Sequence, residues 1–137
     1  MRDRKGRNWA RVRTSILALT LSGLLAAGSA AALAHPGGTD GGARGACSGD
    51  ATWKLRLHAH ERRIGVGYKV QSAGEGELWK VRIKQNRHPI FAGRRLTGED
   101  GSFAVRLVAR NTKGIDVFRA AAKNVETGET CRGRAAI

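Results

Sequence analysis

Between Trp53 and Ile137 apolar and charged residues alternate with a period of two, and this leaves a chain of 137 residues few ways to fold. Trp53, Leu55 and Leu57 interleave with Lys54, Arg56 and His58, and Ile64, Val66, Tyr68 and Val70 continue the plan. Trp79, Val81 and Ile83 alternate in the same way with Lys80, Arg82 and Lys84. Successive side chains on a strand point to opposite faces, so each run predicts a half-buried strand. A short strand around Ile90 to Arg94 follows Pro89, which belongs at a strand start or sheet edge. Phe103, Val105 and Leu107 form the next. Ile115 to Lys123 turns Phe118, Ala120 and Ala122 inward, and Glu129 to Ile137 puts Cys131, Gly133, Ala135 and Ile137 on one face. Turn signals separate the runs at His60 to Arg63, Ser72 to Gly76, Asn86 to Pro89, Thr97 to Gly101 and Thr127-Gly128. No helical period intervenes. The expectation is an all-β domain over residues 47–137, a single antiparallel immunoglobulin-like β-sandwich of about seven strands with Trp79 in its core. A chain of this length holds one such domain.

The N-terminus is of another kind. Arg2, Arg4, Lys5, Arg7, Arg11 and Arg13 stand against Asp3 alone, and an apolar run from Ile16 to Leu25 fades into small residues through Ala34. A basic stretch, an apolar stretch and then Ala32-Leu33-Ala34 fit a secretory signal peptide over residues 1–34 with cleavage after Ala34. An uncleaved membrane anchor would use the same length, but Gly23, Gly28 and Ser29 weaken the segment where an anchor should be most apolar. The expected product is a secreted, extracellular protein that meets membrane only through its transient signal segment.

Export changes what the two cysteines mean. Outside the cytoplasm a disulfide persists, and two Cys allow one pairing, Cys47 with Cys131. It would close a loop of about 85 residues and stabilise the domain by about 4 kcal/mol through the unfolded state. A metal or redox pair would use closer spacing. Residues 35–46, HPGGTDGGARGA, have no apolar period and are rich in glycine, so they are expected to form a flexible linker.

Cys47-Ser48-Gly49, Trp53-Lys54-Leu55, the basic strand Trp79 to Ile83 and Thr127 to Cys131 resemble a group of small secreted actinobacterial proteins. The resemblance covers Cys47 to Ile137 and implies a single immunoglobulin-like or fibronectin-like domain. It implies no activity and no site residue.

Function is expected from the charges. The outward positions of the third, sixth and seventh predicted strands collect Lys80, Arg82, Lys84, Arg119, Lys123, Arg132 and Arg134. In an immunoglobulin-like topology these strands share one sheet, so the seven cations would share one face and attract a polyanion. A merely solvated face that keeps sheet edges from pairing is the plainer account of the same residues. Trp53, Tyr68, Trp79, Phe103 and Phe118 all fall on inward positions, which removes the stacking platform that single-stranded nucleic acid or sugars would need. Only Phe91 has a side that the alternation leaves open. An anionic extracellular or cell-wall polymer therefore suits the face better than a specific nucleic acid.

The alternative is a secreted copper or zinc protein. His58 and His60 lie on one face of a strand, with His88 or Glu61 as a third ligand, and an N-terminal His35 could grip copper through its amino group and ring. A copper site needs ligands held by surrounding packing, and a glycine-rich linker would leave His35 unsupported. Catalysis finds no constellation. Most carboxylates fall in predicted turns and none are paired to flank a scissile bond. Ser48, Ser72 and Ser102 lack a nucleophile-elbow context, and Gly65-Val66-Gly67 and Gly74-Glu75-Gly76 precede no helix. A non-enzymatic role without a cofactor is expected.

Overall fold

The computed structural model describes residues Asp40–Ile137, and the predicted signal peptide, its cleavage point and His35 lie outside them. The described chain is all-β. Its eight strands are β1 (Asp40–Ala46), β2 (Thr52–His60), β3 (Arg63–Gln71), β4 (Leu78–Gln85), β5 (His88–Leu96), β6 (Ser102–Arg110), β7 (Val117–Asn124) and β8 (Thr130–Ala136). They form two antiparallel four-stranded sheets, β1-β2-β3-β6 and β5-β4-β7-β8, packed as a sandwich.

The alternation is what builds it. Leu55, Ile64, Tyr68, Val70, Trp79, Ile83 and Phe118 are fully buried between the sheets, while the interleaved charged residues stand outside. Trp79 takes the predicted core position, its ring centroid 5.9 Å from that of Phe103, and its indole N–H donates to Glu77 Oε2 at 3.1 Å. β5 is an edge strand and carries Pro89, as the missing N–H requires. Asn86 and Arg87 both have positive φ, 46° and 75°, the backbone of a two-residue hairpin turn whose twist matches the flanking strands. The predicted sixth strand starts two residues late, because Ile115 is exposed and Asp116 is held by loop contacts.

The linker expectation fails for residues 40–46. These form β1, paired antiparallel with β2 from Asp40↔His58 to Ala46↔Thr52. Glycine hides this strand because two of its three inward positions, Gly41 and Gly45, have no room for a side chain. A Cβ on Gly45 would lie 3.0 Å from the Trp53 ring, so the absence of an apolar period there reflects close approach rather than flexibility.

Cys47, just after β1, is bonded to Cys131 of β8, Cα atoms 4.2 Å apart across a sequence separation of 84. The predicted staple is present. It ties the start of one sheet to the last strand of the other, and Cys131 is fully buried.

Candidate functional site

The seven predicted cations come together. β7 lies between β4 and β8, and the register sets Lys80 opposite Lys123, Lys84 opposite Arg119 and Arg119 opposite Arg134. Arg82 and Arg132 each lie opposite Ala121, so the two arginines flank one small residue. Side chains opposite each other in adjacent strands have Cβ atoms about 5 Å apart, so these cations are immediate neighbours. All are exposed except the half-buried Lys84. Arg82, Lys84, Arg119, Arg132 and Arg134 line an open depression of about 460 Å³ with Ala121 at its floor.

Sequence reasoning missed one member. Arg94 of β5 is opposite Lys80, so a row of Arg94, Lys80 and Lys123 crosses three strands. The two-residue Asn86-Arg87 turn alone would pair Lys80 with Gly93; a one-residue register shift between Ile83 and Lys84 brings Arg94 there instead, and no sequence signal marks that shift.

Carboxylates are kept away from it. Asp50, Glu61, Glu75, Glu77, Glu99, Asp100, Asp116, Glu126 and Glu129 all lie in the connections, and among the described carboxylates only Asp40 belongs to a strand. Four of them, Glu77, Asp100, Asp116 and Glu129, accept hydrogen bonds from loop and strand-end groups. Glu129 Oε1 accepts from the backbone N–H of Gly49 and Ala51 at 3.1 and 2.9 Å. Glu77 Oε2 accepts from the Ser72 hydroxyl, the Trp79 indole and the Asn124 amide. Asp116, fully buried, accepts from Gln85, Asn86 and the Thr112 hydroxyl on Oδ1, each at 2.7 Å, and from the Thr112 N–H on Oδ2. Burial pushes the Asp116 carboxyl up, but hydrogen bonds from Thr112, Gln85 and Asn86 outweigh it and hold the group below the ordinary carboxylate value. These contacts bind loops to strands; none brings a carboxylate to the basic face.

Of the predicted metal ligands, His35 lies outside the described residues, and no third ligand joins the two that are described. His58 and His60 do share the outer face of β2, but His58 is engaged through Nδ1 by Asp40 of β1. His88 belongs to the opposite sheet, and the described residues contain no group of three or more His, Cys, Asp or Glu able to hold a metal. Of the aromatics, Trp79, Tyr68, Phe103 and Phe118 are buried. Trp53 is half-buried, and its indole N–H donates to Ala46 O at 3.2 Å. Phe91, opposite the inward Ile83, packs against the core with the Arg95 guanidinium 4.9 Å above its ring.

The architecture is that of an all-β two-sheet protein whose most organised surface is a carboxylate-free cationic face. Compared with protein-family models, curated proteins and solved structures, the chain finds no match in any of the three.

Proposed function

We propose that this is a secreted, non-catalytic binding domain whose β5-β4-β7-β8 face engages an anionic polymer of the cell wall or extracellular space. The observation that carries the reading is the register of Lys80 with Lys123 and of Lys84 with Arg119 and Arg134, on a face without a carboxylate. Like charges set directly opposite each other on a sheet are destabilising, and a partner that supplies anions relieves this. Along β4 the cations recur every second residue, about 6.7 Å apart, a spacing that an extended chain of phosphates or carboxylates can follow. The buried aromatics leave nothing on the face for bases to stack on. The export signal supports an extracellular partner. The same reading takes the domain as immunoglobulin-like, supported by passage of the chain from one sheet to the other after β3, β5 and β6.

The test is retention on an immobilised anionic polymer as salt is raised. If about four cations engage, affinity should fall roughly fiftyfold for a fourfold rise in salt. Lys80→Glu with Arg82→Glu should weaken binding further while the variant still melts cooperatively. Retention no greater than that of an unrelated protein of equal net charge would leave the face merely solvated.

A further inference from the structure

The opposite sheet repeats the arrangement. On its outer face Arg44 of β1 lies opposite Lys54 of β2, and Lys54 lies opposite Lys69 of β3. One row further along, Arg56 and Arg106 are both opposite Gly67 of β3. All five cations are exposed. Arg56 and Arg106 therefore straddle a small residue from two strands apart, about 9.6 Å, as Arg82 and Arg132 straddle Ala121 on the first face. No atom lies within 4 Å of where a Gly67 side chain would begin, so the space above it is open. Lys54, Arg56, Lys69 and Arg106 line a depression of about 390 Å³ there.

This second face is neutralised only at its margins. Asp40, its one carboxylate borne on a strand, lies at a corner and is engaged by His58, and Asp100 of the β5–β6 connection lies near enough to Lys69 for the two charges to attract; the Arg56 and Arg106 slot has no such partner among the described residues. The two faces point away from each other across both sheets, whose midplanes alone are about 10 Å apart, so anions bound on them are separated by more than a screening length.

We propose that the outer face of β1-β2-β3-β6 is a second anion-binding face, so that one domain holds two strands of a flexible linear phosphate polymer and cross-links them. The inference rests on the reading of the first face and adds a second site centred on the slot between Arg56 and Arg106. A flexible polymer is favoured over duplex nucleic acid because each slot is floored by one small residue between two arginines. A single chain can lay one phosphate there and continue along the strand direction.

The experiment uses the exported protein with inorganic polyphosphate as probe. Calorimetric titration with short chains should give two chains per protein. Lys80→Glu/Arg82→Glu and Arg56→Glu/Arg106→Glu should each leave one, and the combined variant none. Gly67→Val changes no charge and fills open space on a strand. It should weaken only the second site, by several-fold, with a melting midpoint no lower than that of the wild type. Long chains near equivalence should cause light scattering with the wild type and not with either single-face variant, although both still bind. One chain per wild-type protein, unaffected by Arg56→Glu/Arg106→Glu, would overturn the second site and leave the first face standing. No binding to either face overturns both readings. A short DNA duplex that displaces polyphosphate at equal phosphate concentration would overturn the flexible-polymer partner in favour of nucleic acid.

Discussion

Asp116 shows how much depends on a single side chain at one end of the sandwich. It gathers the Thr112 loop, the Asn86 turn and Gln85 of β4, and its backbone exchanges hydrogen bonds with Ile137. Asp116→Asn would set an amide N–H₂ against donors that now meet a carboxylate, and should cost about 1–3 kcal/mol in denaturant unfolding. The pH dependence has a definite sign. The folded carboxyl ionises at lower pH than it does in the unfolded chain, so its stabilisation is complete above about pH 4 and is lost as pH falls through the folded value. Acid titration of stability should show this loss in the wild type and less of it in Asp116→Asn; equal acid limbs would refute the assignment. Gly133 makes a second residue-scale case. A Cβ there would lie 2.5 Å from the Trp53 ring, which is also lined by Gly45. Gly133→Ala should therefore cost about 1–3 kcal/mol by overpacking. Trp53→Leu should recover part of that loss in a double-mutant cycle, and purely additive effects would exclude this contact as the cause.

At the scale of elements, Cys47–Cys131 and β1 do related work, since the disulfide anchors the end of β1 to β8. The double substitution Cys47→Ser/Cys131→Ser should lower stability by about 4 kcal/mol, read from the denaturant midpoint, and a variant melting like the wild type would defeat the idea. The other strands were legible because both outer faces are polar, so period-two alternation survives in Trp53–Leu57, Ile64–Val70 and Trp79–Ile83. β1 was not legible. Its inward positions are Gly41, Ala43 and Gly45, and the apolar mass that would mark them is supplied by Trp53 from the neighbouring strand. The basic face was readable for the same reason as the core, each cation being the alternate of a buried residue. Arg94 escaped because β5 is an edge strand with weak alternation and a register shift, and the second face because one row needs β1, whose sequence reads as linker, beside β2 and the other needs β6 beside β3.

For the whole molecule, the decisive property is segregation: cations on two outer faces, carboxylates in the connections, and a formal net charge of +14 for the chain. Lys80 opposite Lys123, Arg119 opposite Arg134 and Lys54 opposite Lys69 each set like-charged side chains on Cβ atoms about 5 Å apart in the folded state only. Unfolding separates them, so this repulsion opposes folding, and dissolved salt should relieve it. At a few tenths of a kcal/mol per pair, screening several pairs is worth about 1–2 kcal/mol, which for a domain of this size is roughly 5–10 °C in melting midpoint. We expect the midpoint to rise by about that much as sodium chloride goes from about 10 to 300 mM, over which the screening length contracts from about 30 Å to well under 10 Å. Polyphosphate should produce the same rise at far lower concentration, because a bound polyanion neutralises the rows directly. Lys123→Glu with Arg119→Glu turns like-charged pairs on β4, β7 and β8 into opposite ones. That variant should melt higher than wild type at low salt, respond less to salt, and bind polyphosphate more weakly on the first face. A midpoint that is flat or falls with salt in the wild type would mean that the rows carry no net repulsion. The electrostatic motive for an anionic partner would then be gone, whatever the polymer column shows.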